Sequence, residues 1–383
     1  MLNEISEVHL SYIKLWYLVQ HSLSSFHKVI QHFGSVENAV QPKHLNRWAE
    51  LNIHKNHIQR ATDFSSVAGQ FQFKQCLDKI KLHTDFILLD IEDDYPKQLL
   101  PYTDRPPILF GQGNLQNLSQ AQLAIVGSRK PSPHGKQVAF DFAFYMSQKG
   151  FFITSGLAQG IDEAAHLGAL KNQRTIAVIG TGLDQVYPSQ NRTLQQNILD
   201  HSGTVISEFL PETKPLKHNF PRRNRIVSGL SLGVLVAEAK LESGSLITAQ
   251  AAANQGKTTF AIPGHIYSEF HQGCHQLIRE GAILVDHPEQ IIEDLALPAQ
   301  WQHQQNQPST EISSIEAQEI SPQIPQHLYK IYQQLDWVGQ DLDQLAHALN
   351  SDTAQLTAAL MELELMGFVI QQSGLFLRCR QIN

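Results

Sequence analysis

The sequence is poor in several features that would each indicate a class of protein. It contains three cysteines, Cys76, Cys274 and Cys379, and none of them stands in a CxxC pair, so neither a disulfide framework nor a zinc ribbon is indicated. No stretch approaches the roughly 20 apolar residues of a membrane span. The start of the chain lacks a basic region followed by an apolar run. These absences favour a cytoplasmic protein with no membrane span.

Positive charge is also scarce. The 383 residues include 29 Lys and Arg against 36 Asp and Glu, which gives a formal net charge of −7. Because a protein that covers nucleic acid with its whole surface would be basic, any contact with nucleic acid is expected to be local. Apolar residues make up 42% of the chain and charged residues 17%, as in ordinary globular proteins. The length predicts two or three domains.

Changes in sequence pattern divide the chain into four predicted parts. Residues 1–85 predict a small helical domain similar to SAM or helix-hairpin-helix domains. A scaffold role is favoured there over DNA contact, because DNA-binding hairpins usually carry more glycine than Gly34 at the helix break. Residues 86–295 predict an α/β domain, and residues 296–325, rich in Gln, Pro and Ser, predict a flexible linker. Residues 326–383 contain three helical patterns and a hairpin, which predict a winged helix.

The central region repeats short apolar runs that end in glycine and are followed by helical patterns. The predicted strands are Leu123–Val126, Phe151–Thr154, Thr175–Ile179, Val205–Ser207, Val234–Ala237 and Thr259–Ile262. Continuous apolar runs are typical of buried parallel strands. Their alternation with helices such as Val138–Lys149 and Ile161–Lys171 predicts a doubly wound, mostly parallel α/β sheet. Ligands of such sheets lie outside the carboxyl ends of the strands.

Glycine turns and arginines are concentrated at those strand ends. The turns are Gly127-Ser128-Arg129, Ser155-Gly156 onward to Asp162, Gly180-Thr181-Gly182, and Ser243-Gly244-Ser245 onward to Thr248. Amides at such turns and helix starts bind anions, and arginine forks bind phosphate oxygens in pairs. We expect these turns to converge with Arg222, Arg223 and Arg225 on one edge of the sheet. The alternatives are steric glycines and a solvated helix start.

Motifs for catalysis or cofactors are incomplete. Gly180-Thr181-Gly182 lacks the third glycine of a nicotinamide-binding fingerprint. Gly256-Lys257-Thr258 has Ala251 where a P-loop begins with glycine, so Gly256 is interpreted as a helix stop. Asp162 and His166 have no evident third metal ligand and are interpreted as a helix cap and a local hydrogen-bonding partner. We therefore predict no catalytic residue, metal or cofactor.

Glu238 is the best single candidate for a catalytic group, since it follows the predicted strand Val234–Ala237. Opposite an arginine cluster, the same carboxylate can orient guanidinium groups. The structural role is favoured.

Taken in order, several segments resemble the DNA-processing protein A family (DprA, also called Smf). They are Gly127-Ser128-Arg129, Ser155 through Asp162 with Ala165-His166, Gly182-Leu183-Asp184 with Tyr187-Pro188, Phe220 through Ile226, Glu238-Ala239 with Ser243 through Thr248, and Pro263-Gly264. The resemblance implies an extended Rossmann-like fold that forms a homodimer. It implies a cytosolic protein, not an enzyme, that binds and shields incoming single-stranded DNA during natural transformation and helps to load the RecA recombinase.

The resemblance also implies which residues hold the DNA. Carried over by position, they are Gly127, Ser128, Arg129, Ser155, Gly156, Arg222, Arg223, Asn224, Arg225, Ser243, Gly244, Ser245 and Thr248. Two positions depart from the family pattern. Gln159 stands where a basic residue is frequent, and Lys257 stands where an arginine is common, so the rim of the site is predicted to carry one charge fewer at Gln159.

Two other functions remain open. One is a Rossmann-like enzyme of the nucleotide phosphoribohydrolase type, whose Pro-Gly-Gly-x-Gly-Thr-x-x-Glu motif, aligned on Thr248, places Ala251 where the catalytic glutamate belongs. The other is a structural protein whose arginines serve an interface. In that case the helix after Gly273, with Leu277 and Ile278, would supply an apolar dimer patch.

The winged helix has an acidic helix where a DNA-binding member would place its groove helix. Between Asn350 and Met366 there are Asp352, Glu362 and Glu364 but no Lys or Arg. Phosphate repels such a helix, and only Arg378 and Arg380 near the predicted wing are basic. We hypothesise that this domain binds protein or regulates.

Overall fold

The computed structural model describes residues 5–295, 324–335, 339–349, 351–372 and 374–378. They belong to two compact units, one with the residues up to 131 and residues 139–295, the other with residues 132–138 and the C-terminal part. The predicted linker 296–325 lies outside the described residues except at residues 324 and 325. Arg380 and Cys379 also lie outside them. Within the described residues, no helix is long and apolar enough to cross a membrane.

The N-terminal region is helical, as predicted. Its helices are α1 (Glu7–Leu18), α2 (Leu23–Phe33), α3 (Val36–Ala39), α4 (Pro42–Leu45), α5 (Lys55–Asp63) and α6 (Val67–His83). Serine side chains cap α1, α2, α3 and α6 by accepting hydrogen bonds from amides of the first turn. Trp16 and Trp48 are fully buried, in a core that continues into side chains of the sheet such as Phe110. The helical region and the sheet therefore share one core.

A single sheet of nine strands forms the centre of the first unit, in the order β1-β2-β6-β5-β4-β3-β7-β8-β9. The strands are β1 (Phe86–Leu89), β2 (Ile108–Gly113), β3 (Gln122–Gly127), β4 (Phe152–Ser155), β5 (Thr175–Val178), β6 (Thr204–Ser207), β7 (Gly233–Glu238), β8 (Thr258–Ala261) and β9 (Ile283–Leu284). Strand β2 pairs antiparallel with both β1 and β6, and all the other neighbouring strands pair parallel. The predicted mostly parallel, extended Rossmann-like sheet is confirmed.

Both faces of the sheet are covered. Along β5 and into the next residue, Ile176 and Val178 belong to one core cluster, while Ala177 and Ile179 belong to the other. This alternation is expected for a strand buried on two sides. The helices of this region are α7 (Pro133–Gln148), α8 (Ile161–Leu170), α9 (Arg192–Asp200), α10 (Asn219–Leu230), α11 (Ser245–Asn254), α12 (Gln272–Arg279) and α13 (Pro288–Asp294).

The apolar dimer patch predicted on the helix after Gly273 is not formed by the residues named for it. Leu277 and Ile278 of α12 are partly buried and pack against the sheet core. The exposed positions of this helix are polar, since Gln272, Gln276 and Arg279 occupy them.

The second unit contains the predicted three helices and hairpin of a winged helix. Its elements are α14 (Gln326–Gln334), β10 (Gln340–Asp341), α15 (Leu342–Leu349), α16 (Thr353–Leu365), β11 (Val369–Gln372) and β12 (Leu375–Arg378). The strands form an antiparallel sheet in the order β10-β12-β11. Leu345, Leu356, Leu360 and Phe368 lie in its core.

Candidate anion-binding cleft

A cleft of about 830 Å³ opens at the carboxyl ends of β3, β4 and β7. Strand β7 lies on the opposite side of β3 from β4, so this is the point at which the strand order reverses, where open α/β sheets bind ligands. The pairing of β3 with β7 shifts by one residue between Val126 and Gly127, just before the cleft-lining turn. The predicted turns after β3, β4 and β7 therefore do meet at one edge.

Positive side chains dominate the cleft. Its lining includes Arg129, Lys130, Lys217, Arg223 and Lys240, against the two carboxylates of Asp162 and Glu242. The first three are exposed, and the Nζ atom of Lys240 lies 2.8 Å from Glu269 Oε1. Although the chain has a net charge of −7, it gathers positive side chains in this one cleft. This agrees with the expectation that any contact with a polyanion would be local.

Two neighbouring aromatic rings and an arginine form one wall of the cleft. The ring of Phe220 lies 5.3 Å from the ring of Tyr187, with 38° between their planes, and the Arg129 guanidinium lies 5.3 Å from the Phe220 centroid. Tyr187 is 41% exposed, so its ring is accessible to a planar ligand. Such a wall offers π faces next to positive charge.

Arg223 lies at the floor of the cleft and joins two strand ends. Its Nη1 group donates to the carbonyl oxygens of Gly156, at 2.6 Å, and of Val178, and its Nε group donates to Asn224 Oδ1 at 3.1 Å. Only 3% of the residue is exposed, and burial lowers the pKa of its guanidinium to about 10. A side chain at Gly156 would overlap this guanidinium, so that position requires glycine. Arg223 therefore adds positive charge to the floor of the cleft and, through its hydrogen bonds to Gly156 and Val178, links the carboxyl ends of β4 and β5.

The backbone amides at the glycine turns are already engaged. Gly156 and Ala158 donate their N–H groups to Asp162 Oδ2, at 3.1 and 3.4 Å. Ser128 donates its N–H group to the Glu238 carbonyl oxygen at 2.7 Å. Burial raises the pKa of the Asp162 carboxyl, and the nearby Arg223 charge opposes that rise. The prediction of amides open to an anion after β4 is therefore wrong, because the protein places its own carboxylate there.

The predicted serine and threonine residues fall into two groups. Ser155 is fully buried, donates its hydroxyl to the Ile125 carbonyl oxygen and does not line the cleft. The segment after β7 does line it, through Ser243, Gly244, Ser245 and Thr248. The two serine hydroxyl oxygens lie 2.6 Å apart, and Gly244 faces open space. These hydroxyls supply hydrogen-bonding capacity beside the positive side chains.

Arg222 and Arg225 do not join the cleft, which corrects their predicted convergence with Arg129. Both donate to Glu208 Oε2, at 2.6 Å from Arg222 Nη2 and 2.8 Å from Arg225 Nη2. The Glu208 side chain is fully buried, and neither arginine is part of the cleft lining. Residues three apart on a helix share a face, whereas Arg223 points about 100° away from Arg222. Of the four predicted site residues Arg222 to Arg225, only Arg223 and Asn224 therefore line the cleft.

The interpretations of Gly256 as a helix stop and of His166 as a local hydrogen-bonding partner are supported, whereas Asp162 does not cap α8, because its carboxylate accepts from Gly156 and Ala158 before the helix. Gly256 follows α11 with φ +67 and precedes β8, as a helix stop does. The N–H of Leu157 donates to His166 Nε2 at 3.3 Å, and His166 Nδ1 lies 2.7 Å from Thr175 Oγ1. Burial lowers the pKa of His166 to about 3. Glu238 is fully buried at the end of β7 and is absent from the cleft lining.

The two departures from the family pattern lie in different places. Gln159 is exposed and lines a small recess beside Arg129 and Tyr187. Lys257 lies 5.8 Å from the Tyr102 ring and is not among the residues of the cleft. Only the Gln159 departure therefore bears on the cleft's surroundings.

Sequence reasoning missed three lysines of the cleft, Lys130, Lys217 and Lys240. Two of them had a usable signal, because Lys130 follows Arg129 directly and Lys240 stands two residues after β7 ends. Lys217 precedes α10 in an irregular segment, and its place in the cleft depends on how that segment crosses the strand ends. Among the described residues, no group of three His, Cys, Asp or Glu side chains is arranged to hold a metal ion.

A doubly wound α/β sheet with a positive cleft at its strand reversal, together with a helical N-terminal region and a winged helix, places the chain in the class of Rossmann-like proteins whose cleft suits an anionic ligand. The model of the family "DNA recombination-mediator protein A" matches residues 86–296, which is more than half of the chain. The model of the DprA winged helix domain matches residues 318–374. The chain belongs to the DNA-processing protein A family.

Named relatives agree with this assignment. Protein Smf of Escherichia coli (strain K12) is 41% identical over 288 residues, 75% of each chain. DNA processing protein DprA of Streptococcus pneumoniae is 47% identical over 205 residues, 53% of this chain and 72% of that protein.

Two solved structures are also similar. The X-ray structure of Streptococcus pneumoniae DprA superposes with a TM-score of 0.65 at 35% identity, over 77% of this chain and all of that one. Helicobacter pylori DNA processing protein A, described for its single-stranded DNA binding mode, superposes with a TM-score of 0.50 at 30% identity, over 55% of this chain and 95% of that one.

Proposed function

We propose that this protein binds single-stranded DNA in the cleft, shields it, and helps to load RecA onto it during natural transformation. The observation that carries the proposal is the cleft itself, in which Arg129, Lys130 and Lys217 are exposed beside the neighbouring rings of Phe220 and Tyr187. The protein acts by binding and is not an enzyme. The single-stranded DNA binding described for the Helicobacter pylori relative supports the choice of ligand.

The exposed cations supply the phosphate contacts. Each phosphate neutralised on a single strand releases about 0.7 counterion, so the affinity falls steeply with salt. These side chains project from two separate segments, the turn after β3 and the segment before α10, so the positive surface extends across the strand ends. A surface of this kind follows a flexible backbone without reading its sequence.

The aromatic wall favours a single strand over a duplex. Bases in a duplex are stacked on one another, whereas an unpaired base can stack on Tyr187 or Phe220. The Arg129 guanidinium beside Phe220 adds a cation next to the same platform. Stacking tolerates any base, so we expect weak sequence preference.

The experiment is a fluorescence anisotropy titration of labelled single-stranded and duplex oligonucleotides across a salt series. We expect tighter binding of the single strand, and we expect Arg129→Ala and Lys217→Ala each to weaken it and to reduce the salt slope by about 0.7. Arg279→Ala is the matched control, since it removes an exposed positive charge on α12 outside the cleft. Equal salt slopes in all three variants would refute the site.

The second candidate is a nucleotide phosphoribohydrolase, which the sheet architecture alone would permit. Ala251 lies in α11 at the position of the catalytic glutamate, and Glu238 is buried outside the cleft lining. Incubation with nucleoside monophosphates is expected to release no free base. Release that is lost in a Glu242→Gln variant, which removes an exposed carboxylate of the cleft, would favour the enzyme instead.

A homodimer and a cytoplasmic location belong to the same proposal. Large apolar side chains are exposed near the β9 end of the sheet, with Ile266 72%, Tyr267 85% and Leu284 48% exposed, and β9 is an edge strand. An open edge beside exposed apolar residues suits pairing with a second copy. Light scattering of wild type and Tyr267→Asp tests this, and an unchanged molar mass in the variant would exclude Tyr267 from the dimer surface.

A further inference from the structure

Helix α16 of the winged helix is apolar on two opposite sides. Leu356, Leu360 and Leu363 face the core and are at most 1% exposed. A second apolar stripe consists of Ala354, Ala358, Met361 and Leu365, all exposed, and we call it the outer stripe. The spacing of four, three and four residues places its members along one line of the helix surface.

The outer stripe is unusual for a surface helix. Met361 is 59% exposed and Leu365 is 90% exposed, while a surface helix normally turns polar residues to water. A helix that is apolar on both sides is typical of one covered on both sides. The small side chains of Ala354 and Ala358 let another helix approach closely at one end, and the two large side chains supply contact area at the other. This shape fits a helix better than an extended chain.

The charged residues beside the outer stripe indicate which kind of partner would bind to it. Glu362 and Glu364 are exposed beside it, and α16 contains no Lys or Arg. Among the described residues from 324 onward, five are acidic and two are basic. The acidic surface repels DNA phosphates, and a second copy of α16 would bring like charges together. A basic partner would be attracted by the same two carboxylates, Glu362 and Glu364.

We propose that the outer stripe of α16 docks a basic amphipathic helix of a partner protein. Apolar side chains of the partner, spaced three and four residues apart, pack on Met361 and Leu365. Lysines or arginines along the edges of that helix pair with Glu362 and Glu364. This inference does not rest on the DNA-binding cleft, since it uses residues of the winged helix alone.

The test is anisotropy titration of a fluorescent synthetic peptide with the full-length protein. The peptide is a helix with Leu at positions i, i+3, i+4 and i+7 and Lys elsewhere. We expect binding that weakens at higher salt, and we expect Leu365→Gln and Met361→Gln each to weaken it by about tenfold. Glu364→Lys is expected to weaken it similarly, and a peptide with Glu in place of Lys is expected not to bind.

Leu82→Gln is the matched control, because Leu82 is an exposed leucine, 60% accessible, on α6 in the other unit. It should leave peptide binding unchanged. Equal loss in the control, or no loss in the three α16 variants, would overturn the proposal. So would self-association of the full-length protein that Leu365→Gln abolishes, since the occupant would then be a second copy.

Discussion

The substitution Glu208→Gln tests the pairing of two arginines with one buried carboxylate. Glu208 Oε2 accepts from both Arg222 and Arg225. The glutamate side chain is fully buried, and the arginine side chains are only 24% and 11% exposed. The substitution keeps the shape and removes the negative charge, which leaves two positive groups in a largely dry environment.

The magnitude follows from that burial. Removing one partner of a buried ion pair costs about 3–5 kcal/mol of folding free energy. We expect the lower end, about 3 kcal/mol, because Arg222 retains some water contact and Asp104 Oδ2 lies 3.8 Å from Arg225 Nε. Urea unfolding followed by circular dichroism at pH 7.5 measures the change as a lower midpoint at an unchanged slope.

The control is Glu242→Gln, which removes the same charge from an exposed position of the cleft and should change stability by less than about 0.5 kcal/mol. A second measurement separates structure from DNA contact. Arg225→Ala, studied where it remains folded, should keep the wild-type salt slope for single-stranded DNA, whereas Arg129→Ala should lower it. An unchanged stability of Glu208→Gln, or a reduced slope in Arg225→Ala, would refute the reasoning.

Further predictions concern pH, packing and stacking. Burial holds the pKa of His21 and His166 at about 3, so only the unfolded chain takes up these protons below about pH 6.5. The free energy of unfolding should be highest above about pH 6.5. Below that pH it should fall by about 1.4 kcal/mol per pH unit for each of the two histidines. Urea unfolding at a series of pH values tests this, and a His166→Gln variant with an unchanged slope would contradict it. Gly156→Ala should lower the melting temperature by displacing Arg223, while Gly244→Ala, which faces open space, should not. Phe220→Leu should weaken single-stranded DNA binding about tenfold with an unchanged salt slope, because it removes stacking but no charge.

The sequence predicted the central strands within a residue or two at each end because buried parallel strands are continuous apolar runs. The same reasoning passed over β1, β2 and β9. The pair β1 and β2 extends the sheet antiparallel at one edge, and β9 has only two residues. Neither therefore shows the pattern of an apolar run followed by a helix on which the prediction was based. The wing and helices of the second unit followed from local periodicity, since they are formed by residues close in sequence.

The sequence predicted where the candidate site lies, but not which hydrogen bonds and ion pairs its residues make. Strand ends with glycine meet at one edge in any doubly wound sheet, so the turns at Gly127, Gly156 and Gly244 were found. Which hydrogen bonds those turns make depends on side chains whose orientation no spacing shows, and Asp162 fills the turn after β4. The three arginines were grouped because they are adjacent in sequence, although a helix sends adjacent residues in different directions.

Helix α10 therefore carries two kinds of residue on two faces. Phe220 and Arg223 reach the cleft, while Arg222 and Arg225 bind Glu208 on another side. The N-terminal region contributes to that second side. Trp16 Nε1 of α1 donates to the Glu208 carbonyl oxygen at 2.8 Å, and its ring lies 5.4 Å from the Arg222 guanidinium.

Because Trp16 of α1 contacts Glu208 and Arg222 on one face of α10, and the other face of α10 presents Phe220 and Arg223 to the cleft, we expect the N-terminal region to act on DNA binding through the position of α10. Loss of Trp16 packing would act on the cleft only through the position of α10. A Trp16→Leu variant should accordingly bind single-stranded DNA more weakly with the full wild-type salt slope. A reduced slope would instead mean that the N-terminal region supplies phosphate contacts itself.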